Sequence, residues 1–210
     1  MRKILFSIVT LLALAAPFTS QAEMRWGVTA GAIVSDLKWS QPGFHMQKFS
    51  SDQSLGYSAG IIGEYEIPGI GFGIDLGLQY AQRGATMNLG DFPIWQVEGY
   101  GTERSYLHYL DIPVHVRFKY TNLQGFERKL APFAFVGPTM SILLAHNDIK
   151  AYDYKRVNLG IEVGAGAEIF RNFQLSCSYT WDVTGTSRTV MLSNFNSKSR
   201  NWKVALTYFF

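Results

Sequence analysis

A single cysteine stands in 210 residues, so no disulfide can form within the chain and nothing covalent staples its fold. That residue, Cys177, falls on the apolar face of an alternating segment, where a thiol behaves as a small hydrophobe. Beyond the first 22 residues there is no apolar run long enough for a membrane-spanning helix, and no helical periodicity. A surplus of one charge is also lacking: 19 Lys and Arg face 16 Asp and Glu, with no basic cluster, so no nucleic-acid partner is expected. The four histidines, at 45, 108, 115 and 146, lack metal-ligand spacing, and neither metal nor cofactor is implied. "GIGFG" at 69–73 and "GAG" at 164–166 open no predicted helix, so the geometry that cradles a phosphate is missing.

What is present begins with an export leader. Arg2 and Lys3 make a basic start, 4–16 is apolar, and Ser20-Gln21-Ala22 is a small-residue cleavage pattern. The apolar run is short for a spanning helix, which needs about 20 residues. No Cys follows the small residues, so lipoprotein processing is not expected. The sequence thus predicts a secretory signal peptide over 1–22 and one domain over 23–210. Cleavage leaves 188 residues and takes the formal net charge from +3 to +1.

The remainder alternates. In "YLHYLDIPVHVRFKY", 106–120, one set holds Leu110, Ile112, Val114, Val116 and Phe118, and the other holds Tyr109, Asp111, His115, Arg117 and Lys119. Strand side chains point to opposite faces with period two, so this is one greasy face and one charged face. Seven further segments behave comparably, at roughly 24–36, 54–67, 70–84, 130–144, 155–170, 173–185 and 198–210. Segment 130–144 carries two prolines and alternates poorly, so its faces stay unassigned. Tight turns are expected at "IPGIG" and at Arg171-Asn172, and a moderately short connection at "TNLQGFERK". The connections near 37–53, 85–103, 145–154 and 186–197 are longer and polar.

Short turns at one end and long loops at the other predict an all-β, eight-stranded antiparallel up-and-down transmembrane β-barrel with both termini on the short-turn side. Three features place lipid outside. Aromatic residues gather at both ends of the apolar faces: Trp26, Tyr65, Phe72, Phe118, Phe173 and Tyr208 at one, Tyr57, Tyr80, Trp181 and Trp202 at the other. The polar face is heavily charged and rich in glycine, which suits a narrow filled lumen better than a ligand cavity. The chain also ends on an aromatic strand, with Phe210 last.

These features resemble the PorT-like small outer-membrane β-barrel domain family. In that family a Tyr-Leu-x-Ile-Pro strand, matched by Tyr109, Leu110, Ile112 and Pro113, precedes a Pro-aromatic…Gly-Pro strand, matched by Pro132, Phe133, Gly137 and Pro138. The resemblance spans the mature chain and implies insertion in the outer membrane of a Gram-negative-type bacterium, surrounded by outer-membrane lipid. It also implies that the strand ending in Phe210 is read by the barrel-assembly machinery. It describes architecture and carries no catalytic chemistry.

The expected lumen network comprises Arg25, Glu64, Glu66, Asp75, Arg83, Asp111, His115, Arg117, Lys119, Glu162, Glu168, Asp182 and Lys203. Its plain reading is a plug of ion pairs and water, because an eight-stranded barrel is just wide enough to be filled by side chains. The sharper alternatives are a narrow ion or small-solute pore and a lipid-modifying enzyme. For the enzyme, His108 or His115 would have to activate Thr139 or Ser141. No acylhydrolase pattern is recognisable, and a non-enzymatic structural or surface-interaction role is expected. Trp39, Phe44, Phe92, Trp95 and Tyr100 give the long connections an apolar character suited to an envelope or extracellular protein partner, or to packing over the barrel mouth.

Overall fold

The computed structural model describes residues 23–40, 51–67, 71–88, 102–120, 129–147, 152–184, 187–189 and 196–210. Among them are ten strands: β1 (Glu23–Ser40), β2 (Ser51–Glu66), β3 (Phe72–Asn88), β4 (Thr102–Lys119), β5 (Leu130–His146), β6 (Tyr152–Tyr154), β7 (Val157–Ile169), β8 (Phe173–Asp182), β9 (Ser187–Thr189) and β10 (Asn196–Phe209). Eight of these are staves, pairing in the order β1-β2-β3-β4-β5-β7-β8-β10. The first and last staves pair antiparallel from Gly27↔Phe209 to Ser40↔Asn196, which closes the barrel. Closure satisfies every stave on both sides and leaves no open edge for the bilayer to bear.

Alternation decides which way each stave faces. On β3, Phe72, Ile74, Leu76 and Leu78 are exposed, while Asp75 and Gln79 are buried. On β4, Val114, Val116 and Phe118 point out, and Asp111, His115, Arg117 and Lys119 point in. The molecule is inside-out relative to a water-soluble sandwich, so its exposed surface is the greasy one. Cys177 is exposed on that surface, as expected.

Aromatic rings bound the greasy band at both ends. Phe72 and Phe118 meet at 5.0 Å, and Phe173 and Tyr208 at 5.1 Å, near the short turns. Tyr57 and Tyr80 at 6.1 Å, and Tyr179 and Trp202 at 4.9 Å, lie toward the long connections. Along β3 the two girdles are eight residues apart. At ~3.3 Å per residue and a tilt of ~40° this spans about 20 Å of membrane normal between Cα atoms, close to the ~25 Å apolar band of outer-membrane barrels.

The staves run further than the alternation does. β1 to β5 are 16 to 18 residues long, against the ~9–11 that cross a bilayer, and the surplus lies at the long-connection end. Expected boundaries near 36, 54, 84, 106 and 144 therefore move to 40, 51, 88, 102 and 146. Trp39, expected in a loop, belongs to β1 and pairs with Ser197. Two expected loops also contain short strands: β6 pairs with β9, and β9 with β10. Above the lipid the outer face no longer has to be apolar, so backbone pairing continues without the pattern that reveals it.

The short-turn end is tied to the lumen. Phe170 and Arg171 have φ of 52° and 65°, so the turn sits one residue earlier than expected. Both residues lie in the left-handed region suited to a tight hairpin. The Arg171 carbonyl accepts from Arg25 Nη1 at 2.7 Å, and Asn172 Nδ2 donates to the Phe209 carbonyl at 3.0 Å. Gly71, at φ 70°, accepts from the Lys119 amide at 2.7 Å.

Segment 130–144 acquires its faces here. Phe133, Phe135, Thr139 and Ser141 are buried in the lumen, while Pro132, Ala134, Val136 and Pro138 face out. Two large aromatics inward and prolines outward invert the usual pattern. They fit because β7 places glycines opposite: a Cβ on Gly164 would lie 2.7 Å from Phe135 Cε1, and one on Gly166 would lie 2.6 Å from Phe133 Cζ. The "GAG" stretch is a socket for two rings.

Candidate functional site

All thirteen charged and histidine positions assigned to the lumen face inward. They gather in three layers. Nearest the short turns, Glu64 sits 1 % exposed and accepts from four donors on three staves. Arg25 Nη2 lies at 2.9 Å, Arg117 Nη1 at 2.7 Å, Gln174 Nε2 at 3.0 Å and Lys119 Nζ at 3.5 Å. Glu168 repeats the arrangement, with Arg25 at 2.6 Å, Gln174 at 3.0 Å and Lys119 at 3.3 Å. Lys119 also pairs with Glu66, and Arg117 Nη2 reaches Asp75 Oδ2 at 2.7 Å. Three cations thus share four carboxylates.

Several of these ties cross the lumen. Arg25 on β1 meets Glu168 on β7, Lys119 on β4 meets Glu168 on β7, and Gln174 on β8 meets Glu64 on β2. None of those stave pairs is adjacent in the sheet. Buried charges are costly unless each is paired and hydrogen-bonded, and the multiple partners meet that condition.

The middle layer centres on Glu162. Its Oε1 accepts from Lys203 Nζ at 2.8 Å and Ser178 Oγ at 2.7 Å, and its Oε2 accepts from Thr139 Oγ1 at 3.2 Å. His115 Nε2 stands 3.5 Å from Oε2, and its ring stacks on Phe135 at 4.9 Å. Toward the long connections, Arg83 Nη2 donates to Asp111 Oδ1 at 2.8 Å and Ser141 Oγ at 2.7 Å. Asn201, with its amide oriented to accept from Arg83 Nη1 at 3.1 Å, completes that layer. Asp182 is buried beside it, opposite Gly160.

Aromatic platforms were the part sequence reasoning missed. Arg25 lies over Phe209 at 4.8 Å, Arg117 over Phe133 at 4.6 Å, and Arg83 over Tyr109 at 4.4 Å. Each of these guanidinium groups therefore has a carboxylate partner as well as a ring on its face, an arrangement Lys does not reproduce. Period two already put Phe209 opposite its exposed neighbours Tyr208 and Phe210; for Phe133 the prolines hid the signal.

The enzyme candidates are not assembled into a nucleophile and base. The Thr139 hydroxyl goes to Glu162, and the Ser141 hydroxyl accepts from Arg83. His108 lies outside the lumen, its Nδ1 2.5 Å from the Tyr80 hydroxyl. Among the described residues, no group of three His, Cys, Asp or Glu could hold a metal ion. Of the proposed contact residues, Phe44, Phe92, Trp95 and Tyr100 lie outside the described residues.

Comparison with known proteins agrees with this architecture. The sequence model of the family described as "Outer membrane protein beta-barrel domain" matches residues 18–187. The outer membrane protein OprG from Pseudomonas aeruginosa superimposes with a TM-score of 0.53 at 7 % identity, covering 92 % of this chain and 99 % of its own. Ail, the attachment invasion locus protein of Yersinia pestis, in complex with the heparin analogue sucrose octasulfate, is 15 % identical with a TM-score of 0.44, over 90 % of this chain and 99 % of its own. The outer membrane enzyme PagL is 9 % identical with a TM-score of 0.47, over 86 % and 98 %. No curated protein sequence matches.

Proposed function

Given that the chain belongs to the outer membrane protein beta-barrel domain family, and so resides in the outer membrane of a Gram-negative-type bacterium, we propose that it is a non-enzymatic, plugged barrel. Its role on this reading is structural, or a surface interaction carried by its long connections. The observation that carries the plug is the set of ties between non-adjacent staves, with Glu64 bonded to β1, β4 and β8 at once. A small solute would have to break several charge-assisted bonds to pass.

The interaction role is supported by stave length. β1 to β5 continue beyond what the bilayer needs, which makes a raised, backbone-paired collar under the connections that carry Phe44, Phe92, Trp95 and Tyr100. A rigid scaffold presenting apolar loop residues suits recognition of an envelope or extracellular protein. The non-enzymatic reading rests on the hydroxyls of Thr139 and Ser141 being engaged with Glu162 and Arg83. In this account residues 1–22 are a cleaved leader, the strand ending in Phe210 is the assembly signal, and the PorT-like resemblance names the branch of small barrels.

Replacing residues 89–101 by a short Gly-Ser linker tests the interaction role. The variant is expected to keep its heat-modifiable gel mobility while losing cell-surface cross-links that the intact protein forms. Identical cross-links in both would contradict the role.

A further inference from the structure

Between the lowest and middle charge layers lies a cavity of about 40 Å³, lined among others by Asp75, Gln79, His115, Glu162, Ser176 and Thr207. Two of these residues present buried polar atoms without a protein hydrogen-bond partner: Asp75 Oδ1 and His115 Nε2. Asp75 is 1 % exposed and His115 5 %, and the two are cross-strand partners in the β3–β4 register. The other carboxylate oxygen, Asp75 Oδ2, is held by Arg117 at 2.8 Å, and His115 Nε2 stands 3.5 Å from Glu162, long for a good hydrogen bond. Both side chains line one shared space.

We infer that this cavity is a built hydration site, holding a cluster of about three waters that bridges Asp75 Oδ1 to His115 Nε2. The volume sets the number, since one water needs roughly 10–15 Å³ of this kind of space. The lining sets the chemistry. The carboxylates of Asp75 and Glu162 are matched by the cations of Arg117 and Lys203, so the wall offers no unbalanced carboxylate and favours a neutral occupant over an ion. The absence of any three-member metal-ligating group among the described residues points the same way. Gln79, Ser176 and Thr207 supply the further donors and acceptors that a buried water requires, about three each. The cluster joins the His115–Glu162–Lys203 layer to the Asp75–Arg117–Glu64 layer, making one hydrogen-bonded network through the lower lumen. This deepens the plug reading, and fails separately from it.

The test is a high-resolution crystal structure of the full chain, with water–imidazole cross-relaxation measured in lipid nanodiscs. Ordered waters within hydrogen-bond distance of both Asp75 Oδ1 and His115 Nε2 are expected, with long-lived cross-relaxation to the His115 ring. His115→Phe keeps the ring stack on Phe135 and should lose the bridging water, and His115→Gln, which restores a polar terminus, should regain one. A dry cavity, a direct Asp75–His115 contact, or density refining as a metal ion would overturn the site while leaving the plug intact. Disordered solvent running through a conducting lumen would overturn both.

Discussion

Glu64 holds three cations while almost wholly buried, so removing its charge takes one carboxylate from each of them. Breaking a buried pair from one side typically costs about 3–5 kcal/mol. Glu64→Gln should therefore destabilise the barrel by about 3 kcal/mol, read from urea unfolding in lipid vesicles. Arg117→Gln should cost a similar amount, because it strands Asp75 as well. The double variant should cost at least about 1 kcal/mol less than the sum, since the Glu64–Arg117 pair that each single variant breaks is lost only once. Strict additivity would show that the two groups do not share a network. That these residues face inward was legible from period two alone. Their pairing was not: Glu64 and Gln174 are 110 residues apart, and meet through the stagger of eight staves, which no single segment encodes.

At the scale of elements, β5 and β7 form a matched pair, in which the inward rings of Phe133 and Phe135 occupy space left by Gly166 and Gly164. Gly164→Val would drive a branched side chain into the Phe135 ring, and through it into His115. A loss of about 1–3 kcal/mol is expected, as for other overpacked interiors, measured by the same unfolding assay. An unchanged stability would mean that the ring does not sit in the socket. The lipid-facing side gives a second prediction. Leu76, 54 % exposed midway between the girdles, should tolerate arginine poorly, with Leu76→Arg costing about 2–4 kcal/mol in a bilayer. On a water-facing strand the same change would be within about 0.5 kcal/mol. The sequence revealed staves wherever lipid enforces alternation. It was silent above the outer girdle, where β1 to β5 continue and β6 and β9 form, because pairing there needs only backbone groups. It left the faces of β5 open, where two prolines face out and two phenylalanines face in.

Over the whole molecule, the ends of the barrel are asymmetric. The turn at 170–172 is pinned by Arg25 and Asn172 at one end, and β1 to β5 run past bilayer-spanning length at the other. Between them, on the proposed reading, the charge layers fill the bore, so that the barrel offers its outer wall to lipid and lets nothing through. Fold class and the inward set followed from composition and periodicity, since both are consequences of lipid outside and a narrow lumen. A partner did not, because no periodic constraint shapes the residues of the long connections. The central claim is that the lumen is plugged, and conductance across a planar bilayer tests it most directly. The wild-type protein should give no stable open level, whereas Glu64→Ala combined with Glu168→Ala, which removes the carboxylates of the lowest layer, should give small, brief openings. A steady wild-type current that a variant leaves unchanged would contradict the account.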